Sequence, residues 1–350
     1  EWIEYPVLHL DLNAEKYDSA FRLESMLARH LNLWEDVWGR EEREVTLSDR
    51  FIGIIRRAYE QTGKQVVVLI DEYDKPILDV LDTGLETVLG ENRMLLEERH
   101  RNVLKAFYSV FKAADEHLQF VFLTGVTKFS QVSVFSGFNQ PKDISMDKRY
   151  ETLCGITPEE MERYFAEPIA TLADAMQCTI EEMKAWLKRQ YDGYHFSTNM
   201  ADIYNPFSIL NAFDKQEIRD YWFATGTPSY LIRLLQHSRE HVNELVGKYY
   251  RPALFVDYKA DVEQPLPMIY QSGYLTMKEY NARMGTYLLD FPNNEVREGF
   301  LSLLSVSYFK PKSKEVSSWI TDAVTDLDRG DTDAFRRSLT AFLASIPYDA

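Results

Sequence analysis

The 350 residues predict an α/β fold, with a parallel-sheet core, then a helical domain, then a winged-helix-like unit. Three observations lead there. Two bare apolar runs of strand length, 66–70 and 120–124, suit central parallel strands covered on both faces. Segments of helical periodicity separate them, and helix, strand, helix, strand is the order of a doubly wound sheet. After Gly155 the strand patterns stop, and helical ones run to about residue 248.

The elements follow in order. Residues 5–12 (YPVLHLDL) mix an apolar run with alternation and read as a strand. Residues 14–38 carry Phe21, Leu23, Met26, Leu27 and Leu31 at helical spacing. A second helix is expected over 47–61, opened by Thr46 or Ser48 and closed by Gly63. After the run 66–70, Pro76 marks a helix start, since proline is tolerated in a first turn. The stretch 82–98 is acidic, holds two glycines and reads as a mobile excursion. A helix over about 99–115 then leads into 120–124.

Thr157-Pro158-Glu159-Glu160 opens the helical domain, with proline in the first turn and a glutamate three residues after the capping threonine. Helices are expected over 161–176, 180–191, 206–215, 228–237 and 241–246. Strands at 274–280 and 286–291 are joined by the turn 281–285, which ends in Gly285. With a helix on either side, this last unit resembles a winged helix. The expected domains are therefore 1–155, 156–250 and 251–305, followed by a helical segment over 306–350.

Composition narrows the class. Hydrophobic residues make up 45% and charged residues 27%, an ordinary globular balance. No run of about 18 apolar residues occurs, so no membrane span is expected. The first residues have neither the basic nor the apolar region of a signal peptide. They lack a starting Met, and the sequence is expected to lie inside a longer protein. Two cysteines are too few for a disulfide framework and no His/Cys cluster suggests zinc, which points to the cytoplasm. A net charge of −16 opposes a nucleic-acid surface on the segment as a whole, leaving Arg56-Arg57 and the lysines of 310–314 as candidate basic patches.

The chemistry concentrates at 66–74, where VVVLI is followed by Asp71-Glu72-Tyr73-Asp74. Open α/β sheets bind ligands at the C-terminal ends of their strands, and this run delivers two adjacent carboxylates to such an end. In P-loop ATPases an Asp at this place (the Walker B position) holds Mg²⁺, which assigns Asp71 to the metal. The adjacent Glu72 is then the candidate catalytic base that polarises the attacking water. The run 120–123 ends in Thr124-Gly125, which offers Thr124 as a polar contact to nucleotide phosphate. In the competing reading Asp71 and Glu72 only cap the following helix. The phosphate-loop pattern G-x-x-x-x-G-K-[ST] does not occur. Gly63-Lys64 has Ala58 and Gln65 in the wrong places and sits between a helix and a strand, the reverse of the required order. The topology places that loop before residue 1, so residues 1–350 are expected to be inactive alone.

A set of spaced segments stands out: Tyr5-Pro6-Val7 before an Asp-containing strand end, VVVLIDEYDKPI at 66–77, LTGVTKFS at 123–130, Asp143-Ile144-Ser145 before LCGIT at 153–157, YDGYHF at 191–196, YNPFSILNAF at 204–213, YWFATGTPSYL at 221–231, YQSGYLT at 270–276 and FPNNEVR at 291–297. In these segments the chain resembles the bacterial AAA-ATPase-like family whose members carry a PD-(D/E)XK nuclease-like domain at the C-terminus. The resemblance implies ATP and Mg²⁺ as cofactors and an upstream phosphate loop. It also implies that the helical domain is a lid and that a nuclease-like domain begins near or beyond residue 350. Nucleic acid would then be met only through that domain, with a protein partner or self-association open to the rest.

Other candidates are weaker. Asp257-Tyr258-Lys259 has the local form of a nuclease carboxylate–lysine pair but lacks the preceding acidic strand. Glu182-Met183-Lys184 falls within a helix. The aromatic run 191–196 with Tyr204 reads as packing, and His195 as a loop histidine satisfied by a neighbour. Thr225-Gly226-Thr227-Pro228 reads as a capped helix start. The leading reading is an ATP-driven switch coupled to a nuclease-like effector. Its rival is a degenerate ATPase fold acting as a protein-interaction scaffold.

Overall fold

The computed structural model describes residues 3–89, 92–128, 141–225, 245–256, 265–308, 319, 322–327 and 329–344. Its contacts group the chain into two compact units. One comprises Glu1–Cys154, His195–Ala201 and Pro228–Asp290; the other comprises Gly155–Tyr194, Asp202–Thr227 and Phe291–Ala350.

The first unit is built on a parallel sheet of β1 (Val7–Asp11), β2 (Val66–Asp71) and β5 (Leu118–Leu123), in the order β1-β2-β5. Both pairings are parallel, as the apolar runs predict, and they set Val7 against Val67 and Asp11 against Asp71. Leu8, Leu10, Val66, Val68 and Ile70 alternate onto one face and are buried. Helices α1 (Arg22–Trp38) and α2 (Leu47–Thr62) supply the apolar partners of this core, including Leu23, Leu27, Leu31, Phe51, Ile54 and Ile55. Trp34, Phe51 and Phe107 stack in series within it. On the opposite face Val7 and Phe120 are each 53% exposed.

Local chemistry explains the boundaries. Thr46, not Ser48, caps α2, in a reciprocal capping box with Asp49. Gly63 ends that helix at φ 65°, a conformation glycine adopts without steric cost. The helix expected from residue 14 begins only at Arg22, because 12–14 form a 3₁₀ turn held by the Asp11 side chain. Lys75–Leu78 (α3) is a single turn with Pro76 inside its first positions. The acidic stretch 82–98 is not an irregular excursion. Glu86–Leu89 (β3) and Asn92–Leu95 (β4) pair antiparallel before α4 (Leu96–Tyr108). Thr87, Val88, Met94 and Leu95 give this hairpin its strand character, which charge and glycine content obscure. Helix α4 ends at Tyr108, and the short α5 (Val110–Ala113) follows.

A third sheet in this unit is antiparallel, ordered β6 (Lys248–Tyr250), β8 (Thr286–Asp290), β7 (Thr276–Asn281). Its hairpin turns at Gly285, φ 63°, close to the expected place. Helix Leu266–Gln271 precedes it.

The second unit is helical among its described residues. Pro158–Tyr164, Ala166–Ala175, Ile180–Tyr191 and Pro206–Lys215 enclose a core of Ile169, Leu172, Met183, Leu187, Tyr191 and Ile209. Thr157 and Glu160 form the expected capping box. The single helix expected over 161–176 breaks at Phe165. Glu295, at the start of helix Asn294–Tyr308, is fully buried. It accepts hydrogen bonds from the Ser208 hydroxyl and the Trp222 backbone N–H, each at 2.7 Å. Burial pushes its carboxyl up to about 7, against the opposing pull of those donors. The expected helices at 228–237 and most of 241–246 lie outside the described residues.

Candidate functional site

Three parallel strands end together, and that shared edge creates the site. Asp11 ends β1 beside Asp71, which ends β2, and Thr124 follows the last residue of β5. Sheet-like bonding continues one step past the strands. The Thr124 N–H donates to the Ile70 carbonyl at 2.9 Å, and the Tyr73 N–H donates to the Thr124 carbonyl at 3.0 Å. The side chains expected to hold metal and phosphate are therefore adjacent in space.

Asp71 and Thr124 touch directly, with the Thr124 hydroxyl donating to Asp71 Oδ1. The Glu72 N–H donates to the same oxygen at 3.0 Å. Asp71 is exposed, and its Oδ2 has no hydrogen-bond partner among the described residues. That leaves one carboxylate oxygen fixed in direction and open to a cation.

Glu72 has a different environment. It sits at φ 55°, the left-handed region that β-carbon sterics disfavour, so the turn after β2 is strained at this residue. Burial first, then the negative charges of Asp74 and Asp71, push its carboxyl up to about 7, with Lys75 pulling the other way. Its carboxylate makes no hydrogen bond among the described residues. Lys75 is committed to Asp79. A carboxyl left unpaired and titrating near neutrality is chemically suited to take a proton from water.

Mg²⁺ fits this donor set in a particular way. Among the described residues no group of three or more His, Cys, Asp or Glu side chains can hold a metal ion. Mg²⁺ rarely needs such a cage, being held through one or two carboxylates with water and substrate phosphate completing the shell. Asp71 Oδ2, with Asp11 beside it in register, matches that requirement.

The sequence left Asp74 and Thr127 without roles. Asp74 is completely buried, and its carboxylate accepts from the Val126 N–H at 3.2 Å, the Thr127 N–H at 2.5 Å and the Thr127 hydroxyl at 2.7 Å. Burial raises its carboxyl above the usual range, against the pull of these donors. The Tyr73 hydroxyl donates to the Thr127 carbonyl. The one available signal was a third acid, two residues past Glu72 in DEYDKPI, together with a second threonine in LTGVT.

The remaining candidates resolve as structure or fall outside view. His195 is buried, with Nδ1 2.6 Å from the Met277 carbonyl and its N–H donating to Thr276 Oγ1 at 2.9 Å, so a neighbour satisfies it. Tyr191, Tyr194 and Tyr204 are buried, in keeping with packing. Glu182 belongs to the capping box of helix Ile180–Tyr191. Arg56 and Arg57 pair with Glu41 and Glu44 and form no open basic patch. The stretches 257–259, 226–228 and 310–314 lie outside the described residues. No helix among the described residues is long and apolar enough to cross a membrane.

Residues 1–135 match the family model described as predicted AAA-ATPase, the AAA-ATPase-like family. The chain is also similar to an uncharacterized protein in the vnfD 5′ region of Azotobacter chroococcum mcd 1. The two are 35% identical over 348 residues, which is 99% of this chain and 63% of that protein. The chain therefore spans less than two thirds of that relative's length.

Proposed function

We propose that residues 1–128 form the hydrolytic side of an ATPase site and that the full-length protein is an ATP-driven switch. The observation that carries this reading is the meeting of Asp71 and Thr124 at the C-terminal edge of a parallel sheet, with an unpaired Glu72 carboxyl beside them. Asp71 Oδ2 would hold Mg²⁺, which supplies charge neutralisation at the phosphates when bound. Glu72 would accept the proton of the attacking water, and Thr124 would orient Asp71 and face the terminal phosphate. The match of residues 1–135 to the AAA-ATPase-like family supports the ATPase-type reading.

The phosphate loop would be carried on a further strand–helix unit. The partly uncovered sheet face at Val7 and Phe120 supports this, since parallel sheets are normally covered on both sides. The helical second unit would act as the lid. The β6-β8-β7 sheet, with helices Leu266–Gln271 and Asn294–Tyr308 flanking it in sequence, is the part that supports a winged-helix-like module. Coupling to a nuclease-like effector rests on the sequence resemblance. Calorimetry of Mg-ATP with full-length Asp71→Asn and its parent tests the site. Affinity should fall at least about tenfold in the variant when Mg²⁺ is present. Equal affinity would remove Asp71 from the metal site.

A further inference from the structure

We propose that Asp74 is a positioning residue, whose buried carboxylate clamps the chain leaving β5 and so holds the Thr124 hydroxyl against Asp71. The inference rests on the ATPase reading above and adds to it a fully buried residue.

The clamp is a set of bonds between the segments that leave two neighbouring strands. Residues 72–74 follow β2, and residues 124–127 follow β5. The Tyr73 N–H donates to the Thr124 carbonyl, and the Tyr73 hydroxyl donates to the Thr127 carbonyl. Asp74 answers with both oxygens: Oδ1 takes the Val126 N–H, while Oδ2 takes the Thr127 N–H and hydroxyl. Gly125 makes the closeness possible. A β-carbon there would lie 2.5 Å from Asp74 Oδ1 and 2.7 Å from the Tyr73 ring, so only glycine lets the turns approach without a shift.

The far end of the segment is tied down independently. The Lys128 N–H donates to Gln271 Oε1 at 2.7 Å, and Gln271 Nε2 donates to the Val256 carbonyl at 2.7 Å. Lys128 also pairs with Asp143 through its ammonium. Residues 124–128 are therefore held by β5 at one end and Gln271 at the other, and Asp74 fixes the middle. A two-oxygen acceptor suits that task, because it takes all three donors at once. A cap for the short turn Lys75–Leu78 would not need this arrangement, and Asp74 makes no side-chain capping bond to that turn.

The test uses the full-length protein with Asp74→Asn, Thr127→Val and Thr127→Ser, alongside Glu72→Gln. Asparagine keeps the shape but presents N–H groups to donors, and valine removes the Thr127 hydroxyl, one of the three donors to Asp74. Asp74→Asn and Thr127→Val should lower kcat about 10- to 100-fold with KM for Mg-ATP changed far less, as expected of a misplaced catalytic group. Thr127→Ser should restore kcat, which a purely structural loss of the methyl would not allow. Hydrogen exchange at the Val126 and Thr127 amides should accelerate in Asp74→Asn, independent of turnover. If Asp74→Asn fails to fold, the Thr127 pair decides. Parent-like kcat in Thr127→Val, with Glu72→Gln impaired, would overturn the clamp and leave the ATPase reading standing. Parent-like hydrolysis in Glu72→Gln would instead overturn that reading, and the Asp74 proposal with it.

Discussion

The Thr124 hydroxyl donates to Asp71 Oδ1 across 53 positions of sequence, joining the ends of two neighbouring parallel strands. One carboxylate oxygen is thereby occupied and the other left outward. The pair behaves as a unit, in which threonine sets the direction of the carboxylate and the carboxylate fixes the threonine rotamer.

Replacing Thr124 by valine removes the hydroxyl at nearly constant volume. In the full-length protein, Thr124→Val should reduce ATP turnover about tenfold or more, and Thr124→Ser should retain most of it, since serine can still donate to Asp71. Steady-state rates on both variants check this. Equal rates in all three proteins would mean that the hydroxyl has no catalytic consequence.

Glu72 occupies left-handed backbone at φ 55°. Glycine carries no steric penalty there, so Glu72→Gly should gain roughly 1 kcal/mol of stability from the backbone. The same change deletes the proposed base, so turnover should be lost while the melting temperature rises. That opposition of stability and activity is the expected mark of strain kept for function. Thermal melts and rates measured together separate it from simple damage, which would lower both.

Glu295 sets a pH dependence in the helical unit. Burial raises its folded-state carboxyl to about 7, above its ordinary value. Between those two values the native state binds the proton and the unfolded chain has released it. The native state therefore holds more protons, and stability falls as pH rises through that window. Below it both states are protonated and the effect vanishes; above about 7 the loss is complete. Glu295→Gln should flatten this slope, gaining on the parent by about 3 kcal/mol at most at pH 8 while matching it near pH 4. Chemical denaturation at several pH values measures it, and parallel slopes for parent and variant would exclude Glu295 as the titrating group.

How much of this was legible in the sequence depends on the range of the interactions. The strands at 66–71 and 118–123 announced themselves as bare apolar runs of strand length, although the structure fully buries only alternate residues of 66–70. Thr46, Thr157 and Gly63 marked helix ends through chemistry confined to three or four residues. The hairpin at 86–95 was hidden by its charge, since strand pairing is settled by cross-strand neighbours more than by composition. That Asp71 and Thr124 meet at one sheet edge was readable from their places after the two apolar runs. Asp74 was not, because its partners Val126 and Thr127 lie more than fifty residues away and only the folded sheet brings them together.

The central claim is that Glu72 activates water while Asp71, one residue earlier, holds Mg²⁺. The most direct measurement is the steady-state ATPase rate of full-length Glu72→Gln, with Mg-ATP affinity determined on the same sample. Glutamine keeps the size of the side chain and removes the base. The account predicts hydrolysis reduced about 100-fold or more with affinity near that of the parent. A rate equal to the parent's at unchanged affinity would contradict it, and Glu72 would then be a strained turn residue with no part in hydrolysis.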